Sequence, residues 1–224
     1  MNGTAAGIYF DSVRTAGRAA AVVESPLNGI SLSLAAGSVT AVIGTEDGGA
    51  AALLRCVAGL ERATEGSVRI GGTDLGLLGD DGLLALRRER IGVLGRSPML
   101  VGALSVQENV ELPLRLAGRA LAATELAELL ERTGLTAHRY ERADSLPRAL
   151  RHRVAFARAL AISPAVIVAD EPAAELDSAE RRELFRLLRE SGSTVLLAST
   201  DATATGFADS ALFLADGKLT VAVP

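Results

Sequence analysis

Several residue types are scarce in this 224-residue chain, and each scarcity excludes a class of protein. The single cysteine, Cys56, rules out an internal disulfide framework and is expected in the core, since it lies in an apolar helical run. No apolar run reaches the length of a membrane-spanning helix, although hydrophobic residues make up 49% of the chain. The net charge of −4 disfavours nucleic acid as a partner. The length predicts one domain with a sizeable core.

Three chemically versatile residue types are almost missing as well. Lys218 is the only lysine, Gln107 is the only glutamine, and His138 and His152 are the only histidines. A site that requires one of these side chains must therefore use one of these four positions. The first ten residues also lack the basic segment and apolar core of a secretory signal, so we expect a cytoplasmic protein.

A short hydrophobic run that ends in two acids is the most informative stretch of the sequence. Val166–Ala169 is predicted to be a strand buried on both faces, and Pro172 prevents its continuation. Asp170 and Glu171 lie between them. Because ligands collect at the carboxyl ends of strands in open α/β sheets, two acids there suit Mg²⁺ binding and the polarisation of a water. Taken alone, the stretch fits equally well a strand end with two solvated acids.

A strand, a glycine-rich loop and a helix are predicted near residue 50. Ser38–Ile43 has the pattern of a buried strand and Ala50–Ala58 that of a helix. The loop between them has the context of a P-loop, which cradles phosphate with backbone N–H groups in the pattern GxxxxGK[ST]. The loop consists of Gly44, Thr45, Glu46, Asp47, Gly48, Gly49, Ala50 and Ala51. Both glycine positions of the pattern are kept, but alanines replace its lysine and its hydroxyl residue.

This loop is poorly suited to a phosphate chain. Losing the lysine forfeits charge-assisted hydrogen bonds that are worth about 1.5–3 kcal/mol each. Glu46 and Asp47 add carboxylates where an anion would lie, and two unit charges about 4 Å apart repel by roughly 4 kcal/mol at an effective dielectric near 20. We therefore expect Mg-ATP, if bound, to bind weakly. The alternative is a loop that only connects the strand to the helix.

Three further segments give the sequence a family resemblance. These segments are residues 170–178, Val106–Leu114 and the helical run Val154–Leu160. Together they resemble the ATP-binding cassettes (ABC) of macrolide-export, lipoprotein-release and cell-division transporters, in which the segment matching Val106–Leu114 belongs to the region that docks on the permease. The resemblance implies a P-loop NTPase-like α/β cassette, with a mixed sheet core, an N-terminal β-subdomain and a helical subdomain. It covers nearly the whole chain and implies a single domain over 1–224, with the helical part at about 90–160.

The resemblance also implies roles for individual residues. Asp170 would be the Mg²⁺ ligand, Glu171 the catalytic carboxylate and Asp177 the D-loop acid. Other family positions hold unexpected residues. Ala16 stands at the adenine-stacking aromatic, Arg96 at the metal-contacting glutamine and Thr200 at the switch histidine. The signature segment, normally LSGGQ, consists of Leu146, Pro147, Arg148, Ala149 and Leu150.

These replacements predict impaired chemistry. Pro147 removes a hydroxyl and an amide donor, and Arg148 and Ala149 place Cβ atoms where glycine allows close approach. Tyr9, which lies near Ala16 in the sequence, is expected to pack in its strand rather than to stack on the adenine base. Arg96 is expected to pair with Glu46, Asp47 or Asp170 and so to fill the vacant site.

Three functions remain open from the sequence. The first is a degenerate ABC subunit that hydrolyses no ATP, in which Glu171 is vestigial. It would dock on a membrane permease through Val106–Leu114, at the inner face of the cell membrane, as a homodimer or as a heterodimer with another cassette. The second is an active transport ATPase with divergent motifs, which retention of Asp170 and Glu171 favours. The third is a free-standing cytosolic regulator.

Overall fold

The computed structural model describes residues 4–16, 25–45 and 48–223. The strands in these ranges are β1 (Ile8–Arg14), β2 (Asn28–Leu34), β3 (Val39–Gly44), β4 (Glu65–Ile70), β5 (Thr73–Asp74), β6 (Ile91–Leu94), β7 (Val166–Asp170), β8 (Thr194–Ser199), β9 (Ser210–Ala215) and β10 (Lys218–Val223). The α-helices are α1 (Ala50–Val57), α2 (Asp80–Arg90), α3 (Val106–Leu116), α4 (Ala123–Arg132), α5 (Arg148–Leu160) and α6 (Ser178–Glu190). The strands predicted at Ser38–Ile43 and Val166–Ala169 and the helix predicted at Ala50–Ala58 are confirmed, with bounds that differ by one residue at most.

The strands form two sheets. The smaller sheet has the order β2-β1-β4-β5 and is antiparallel. The larger sheet has the order β10-β9-β3-β8-β7-β6, with parallel pairing from β9 to β6 and the antiparallel hairpin strand β10 at its edge. This arrangement confirms the mixed sheet expected from the sequence.

Both faces of the larger sheet are covered, which explains why its central strands are continuous apolar runs. Every residue of β8 is buried, and only Asp170 is exposed in β7. One core cluster joins α1 to one face of the larger sheet and to the smaller sheet. A second core cluster joins α5 and α6 to the other face of the larger sheet. Cys56 of α1 is buried, and this burial raises the pKa of its thiol to about 12, so it is a neutral core residue as predicted.

A third cluster forms among α3, α4 and α5. Val106, Val110 and Leu114 form the inward face of α3 and are at most 2% exposed. Ser105 begins α3 with a capping box that it shares with Glu108. These three apolar positions of α3 therefore serve the protein's own core. Subdomain boundaries at about 90 and 160 remain a prediction.

The last two strands form a hairpin. β9 and β10 pair through a turn in which Asp216 and Gly217 both have positive φ, as a tight hairpin turn requires. The packing predicted for Tyr9 is wrong, since its side chain is 46% exposed. Tyr9 follows buried Ile8 and precedes buried Phe10, so the alternation of the strand turns it outward. No helix in the described ranges is long and apolar enough to cross a bilayer.

Candidate nucleotide site

Strand register brings the carboxyl ends of β3, β8 and β7 to one edge of the larger sheet. Ile43 pairs with Ser199, and Asp170 pairs with Ala198. A cavity of about 280 Å³ opens at this edge. Its lining consists of Gly44, Thr45, Ala50, Ala51, Arg96, Asp170, Glu171, Ala198, Ser199 and Thr200. The fold thus gathers the residues implied for the glycine-rich loop, the strand-end acids, Arg96 and Thr200 around one space.

The described residues of the glycine-rich loop pack closely against Leu214 of β9. A Cβ at Gly44 would lie 2.6 Å from the carbonyl oxygen of Leu214, so glycine is required for this close approach. Gly49 has φ +95° and precedes the first residue of α1, with no side chain capping the helix. The start of α1 therefore presents backbone N–H groups toward the cavity, a feature that favours an anion. Glu46 and Asp47 lie outside the described residues.

The tip of the C-terminal hairpin packs on this loop. The N–H of Gly217 donates to the carbonyl of Gly48 at 3.2 Å, and the carbonyl of Gly217 accepts from Asn28 at 2.8 Å. Lys218 comes next in the chain and is exposed. The only lysine is thus far from the loop in sequence but follows a residue that contacts it. It does not line the cavity.

The two strand-end acids differ in their surroundings. Asp170 ends β7 and is exposed, whereas Glu171 is half-buried and has φ +47°, a strained value for a residue other than glycine. The N–H of Glu171 donates to the carbonyl of Ala198 at 3.0 Å. Its carboxylate accepts from the N–H of Thr200 at 2.5 Å and from the Ser199 hydroxyl at 3.2 Å. Both carboxylate oxygens of Glu171 are thus bound to the end of β8.

Thr200 begins a segment that a cation on α6 holds in place. Asp201 forms an ion pair with Arg181, and the same guanidinium donates to the Thr203 hydroxyl at 3.1 Å. Hydrogen bonds from Thr203 and Arg181 lower the pKa of Asp201 below its usual value. The side chain present at the switch position is a threonine, which provides no imidazole toward the cavity.

The signature segment lies away from the cavity lining. Leu146 is 3% exposed and packs in the third core cluster, while Pro147 and Arg148 are exposed where α5 begins. Pro147 takes the N-cap position of α5, directly before the first helical turn. The Arg148 guanidinium donates to the carbonyl of Glu175 at 3.2 Å and lies 3.7 Å from its carboxylate.

Two further sequence positions also lie outside the cavity. Asp177 caps α6 by accepting from the N–H groups of Ala179 at 2.8 Å and Glu180 at 2.9 Å, so its carboxylate stabilises a helix start. Ala16 is exposed just after β1 and has no ring to stack on a base. Its neighbour Thr15 is buried and is bound to Leu27 through the backbone and the hydroxyl.

The described lining of the cavity carries charges of both signs. Arg96 is its one cationic side chain, and Asp170 and Glu171 are its two acids. Neither Arg96 nor Asp170 is free of interactions. The described residues contain no cluster of three or more His, Cys, Asp or Glu side chains able to hold a metal ion. The residues at the lysine and hydroxyl positions of the P-loop pattern are Ala50 and Ala51, and both lie on the cavity at the start of α1.

Sequence reasoning missed two contributors to this site. Ser199 ends β8, and its hydrogen bond to Glu171 depends on tertiary geometry. Arg181 lies on α6, and its partner Asp201 is 20 residues away in the chain. For the ion pair, the only signals in the sequence are Arg181, a cation shortly after the D-loop acid, and Asp201, an acid directly after the switch position.

The cavity, the glycine-rich loop and the strand-end acids define a P-loop type of nucleotide-binding domain. The chain belongs to the ABC transporter family, whose model matches residues 27–174. Its fold is that of an ABC cassette. The structure of the dimeric cassette MJ0796 bound to ADP and Pi superposes with a TM-score of 0.83 at 28% identity, covering 96% of this chain and 97% of that one.

Two relatives show the range of similarity. The lipoprotein-releasing system ATP-binding protein LolD of Anaeromyxobacter dehalogenans (strain 2CP-C) is 37% identical over 206 residues, covering 88% of this chain and 86% of LolD. The methionine import ATP-binding protein MetN of Caulobacter vibrioides (strain ATCC 19089 / CIP 103742 / CB 15) is 41% identical over 177 residues, covering 76% of this chain and 53% of MetN. The chain therefore spans about half the length of the methionine-import relative.

Proposed function

We propose that this chain is a degenerate ABC subunit that docks on a membrane permease and contributes no ATP hydrolysis of its own. ATP-binding domains of this family bind Mg-ATP in general. The observation that carries the proposal is the cavity, where Ala50 and Ala51 share a lining with Asp170 and Glu171 and supply neither the lysine nor the hydroxyl of a P-loop. Lysine neutralises phosphate charge and the hydroxyl binds Mg²⁺, so their absence removes the main contacts to Mg-ATP.

The remaining positions support the same proposal. Thr200 supplies no imidazole, Ala16 no aromatic ring and Pro147 no hydroxyl. Arg96 lines the cavity that Mg²⁺ would share with Asp170, and we assign it the role of an internal counter-charge there. The described site is thus organised by interactions within the chain.

Docking is assigned to the outward side of α3. Val106, Val110 and Leu114 are buried in the core, so only part of the segment Val106–Leu114 remains available. A groove of about 460 Å³ lies beside it, lined by Leu84, Arg87, Arg88, Ile91, Gly92, Val93, Pro113, Leu116, Arg158, Ala159 and Ile162. Exposed apolar residues rimmed by arginines suit an amphipathic helix of a permease. Such a subunit lies in the cytoplasm, peripherally on the inner face of the membrane.

A dimer of cassettes is part of the proposal, either with a second copy or with a competent cassette. In ABC dimers each site combines the P-loop of one subunit with the signature of the other. A competent partner would therefore receive the altered signature Leu146–Leu150 opposite its own P-loop. This chain would contribute to docking rather than to a power stroke.

The test is ATP hydrolysis by a competent cassette and permease reconstituted with and without this chain. We expect the chain to leave the rate unchanged or to depress it. We expect Glu171→Gln in this chain to have no effect on that rate, because no Mg-ATP is hydrolysed at its own P-loop. A large loss of rate in that variant would show that Glu171 is catalytic and would refute the proposal.

An active transport ATPase with divergent motifs is the second candidate. It is favoured by the position of Asp170 and Glu171, which lie on the same cavity as Thr45 and the start of α1. Mg-dependent hydrolysis by the purified chain that Glu171→Gln abolishes would establish this candidate instead.

A further inference from the structure

A continuous path of hydrogen bonds connects helix α6 to the carboxylate of Glu171. Arg181 pairs with the Asp201 carboxylate, and the N–H of Asp201 donates to the Ser199 hydroxyl oxygen at 3.1 Å. The Ser199 hydroxyl donates in turn to Glu171 at 3.2 Å. A serine hydroxyl has one proton and two lone pairs, so it accepts from one neighbour while donating to the other. The directions of the bonds are thus mutually consistent.

A second branch fixes the same segment. Thr203 donates its N–H to the Asp201 carboxylate at 2.9 Å, and its hydroxyl accepts from Arg181 at 3.1 Å. The N–H of Thr200, between the two branches, donates to Glu171 at 2.5 Å. Arg181 is therefore bound at two points on the segment that presents both donors to Glu171.

The immediate surroundings of Arg181 add an independent observation. Its Nε–H is buried and has no hydrogen-bond partner among the residues that the structure describes. A small cavity of about 20 Å³ borders Arg181, Glu171, Ser199 and Asp201. This volume is large enough for a single water molecule, which takes about 10–15 Å³ by the same measure. Glu171, Arg181, Ser199 and Asp201 supply the polar part of its lining, and apolar residues supply the rest.

We infer that Arg181 is a positioning residue that, through Asp201 and Ser199, holds the Glu171 carboxylate against the end of β8. The inference rests on the proposed function, because it accounts for the retention of Glu171 in a chain that lacks the P-loop lysine. The carboxylate stabilises the junction of β7 and β8, and this contribution requires no nucleotide. The strained φ of Glu171 is held by these contacts.

The test is the amide NMR signal of Thr200 in the full-length, nucleotide-free chain. A short hydrogen bond to a carboxylate moves an amide proton downfield, and Glu171→Gln should move the Thr200 signal upfield. Arg181→Gln should shift it in the same direction, and Arg181→Lys, which keeps a cation for Asp201, should restore much of the wild-type position. Arg182→Gln is the matched control, since Arg182 is the exposed next residue, and it should leave the signal in place.

Asp201→Asn provides a second variant should Arg181→Gln fail to fold. It keeps an oxygen for the Thr203 amide but loses the ion pair, and it should also shift the Thr200 signal upfield. A Thr200 signal as little changed in Arg181→Gln or Asp201→Asn as in Arg182→Gln would overturn the inference. Because no nucleotide is present, this failure is distinct from a failure of the proposed function, which hydrolysis and nucleotide binding measure.

Discussion

The N–H of Gly217 donates to the carbonyl of Gly48, so the tip of the C-terminal hairpin is bonded to the glycine-rich loop. The hairpin also joins this loop to the start of β2, because the carbonyl of Gly217 accepts from Asn28. The hairpin tip, the glycine-rich loop and the start of β2 are three segments distant in sequence that thus meet at one point. Gly48 of the loop is held there by a contact within the protein.

Substitution of Gly217 should therefore destabilise the whole cassette. Gly217 has φ +70°, and an added Cβ would lie 1.8 Å from the carbonyl oxygen of Pro26. The left-handed conformation costs a non-glycine residue about 1–2 kcal/mol, and the clash adds roughly 1–3 kcal/mol. We expect Gly217→Ala to lower the free energy of unfolding by about 2–5 kcal/mol in urea denaturation, by summing these ranges.

Gly72→Ala is the matched control for that measurement. Gly72 lies between β4 and β5, has no positive φ and has no atom within 4 Å of an added Cβ. The free energy of unfolding of the Gly72→Ala variant should stay within about 0.5 kcal/mol of the wild-type value. Equal stability of the Gly217 and Gly72 variants would mean that the hairpin contact is dispensable.

Restoring the missing P-loop residues should improve binding without restoring turnover. Ala50→Lys with Ala51→Ser returns the phosphate cation and the Mg²⁺ hydroxyl, which should tighten Mg-ATP binding about tenfold or more. Hydrolysis should remain negligible, because Thr200 and the signature segment are unchanged. Ala50→Met with Ala51→Ser adds a side chain of similar length without charge and serves as the control in calorimetry and ATPase assays. Robust turnover by the Lys/Ser variant would show that the remaining motifs suffice.

The docking surface can be tested at Leu116. Its side chain is 72% exposed on the groove beside α3. Leu116→Glu should weaken permease binding about tenfold or more, since an apolar anchor in an interface is replaced by a charge. Leu77→Glu makes the same change at a residue that is 86% exposed and lies outside that groove, and it should leave binding intact. Pull-down with the permease in detergent measures both, and equal binding by the two variants would exclude this groove.

The buried imidazole of His152 should make the stability of the fold depend on pH. It is 4% exposed, and its Nε2 has no hydrogen-bond partner in the described part of the chain. Burial lowers the pKa of His152 below its usual value, nearby Glu175 opposes this shift, and Arg148 adds to it. The unfolded chain takes up this proton near pH 6.5, before the folded chain does. The folded state is thus progressively destabilised as the pH falls from about 6.5 toward the lower folded pKa.

Chemical denaturation at several pH values between about 7 and 5 checks this sign. His152→Leu should lose less stability over this window than the wild type. His138→Gln, at the half-buried histidine beside Glu141, tests the other histidine by the same protocol. An unchanged pH dependence in His152→Leu would contradict the assignment.

Local patterns predicted the elements well and the contacts between them poorly. The apolar run Val166–Ala169 and the Asp216-Gly217 turn carry their structure in a few neighbouring residues, so both were predictable. The contact of Gly217 with the glycine-rich loop depends on the order of strands in the sheet, which periodicity does not encode. Segment Val106–Leu114 shows the same limit, since only the fold reveals which side of it is used in the core.

The candidate site divides in the same way. Strand ends and a glycine-rich loop indicated where the cavity lies, because parallel strands bring their carboxyl ends to one edge. The roles of Arg181 and Ser199 were beyond reach, since each acts through partners on other elements. The packing of Tyr9 was predicted wrongly because either face of the smaller sheet could be the solvent-exposed one. The alternation of residues along a strand does not by itself say which face that is.

Calorimetric titration of the purified chain with Mg-ATP tests the central claim most directly. The described lining of the cavity has Arg96 as its one cation and Asp170 and Glu171 as its acids, and Ala50 stands at the position of the P-loop lysine. We predict a dissociation constant in the high micromolar range or weaker. Low-micromolar binding of Mg-ATP would contradict the account.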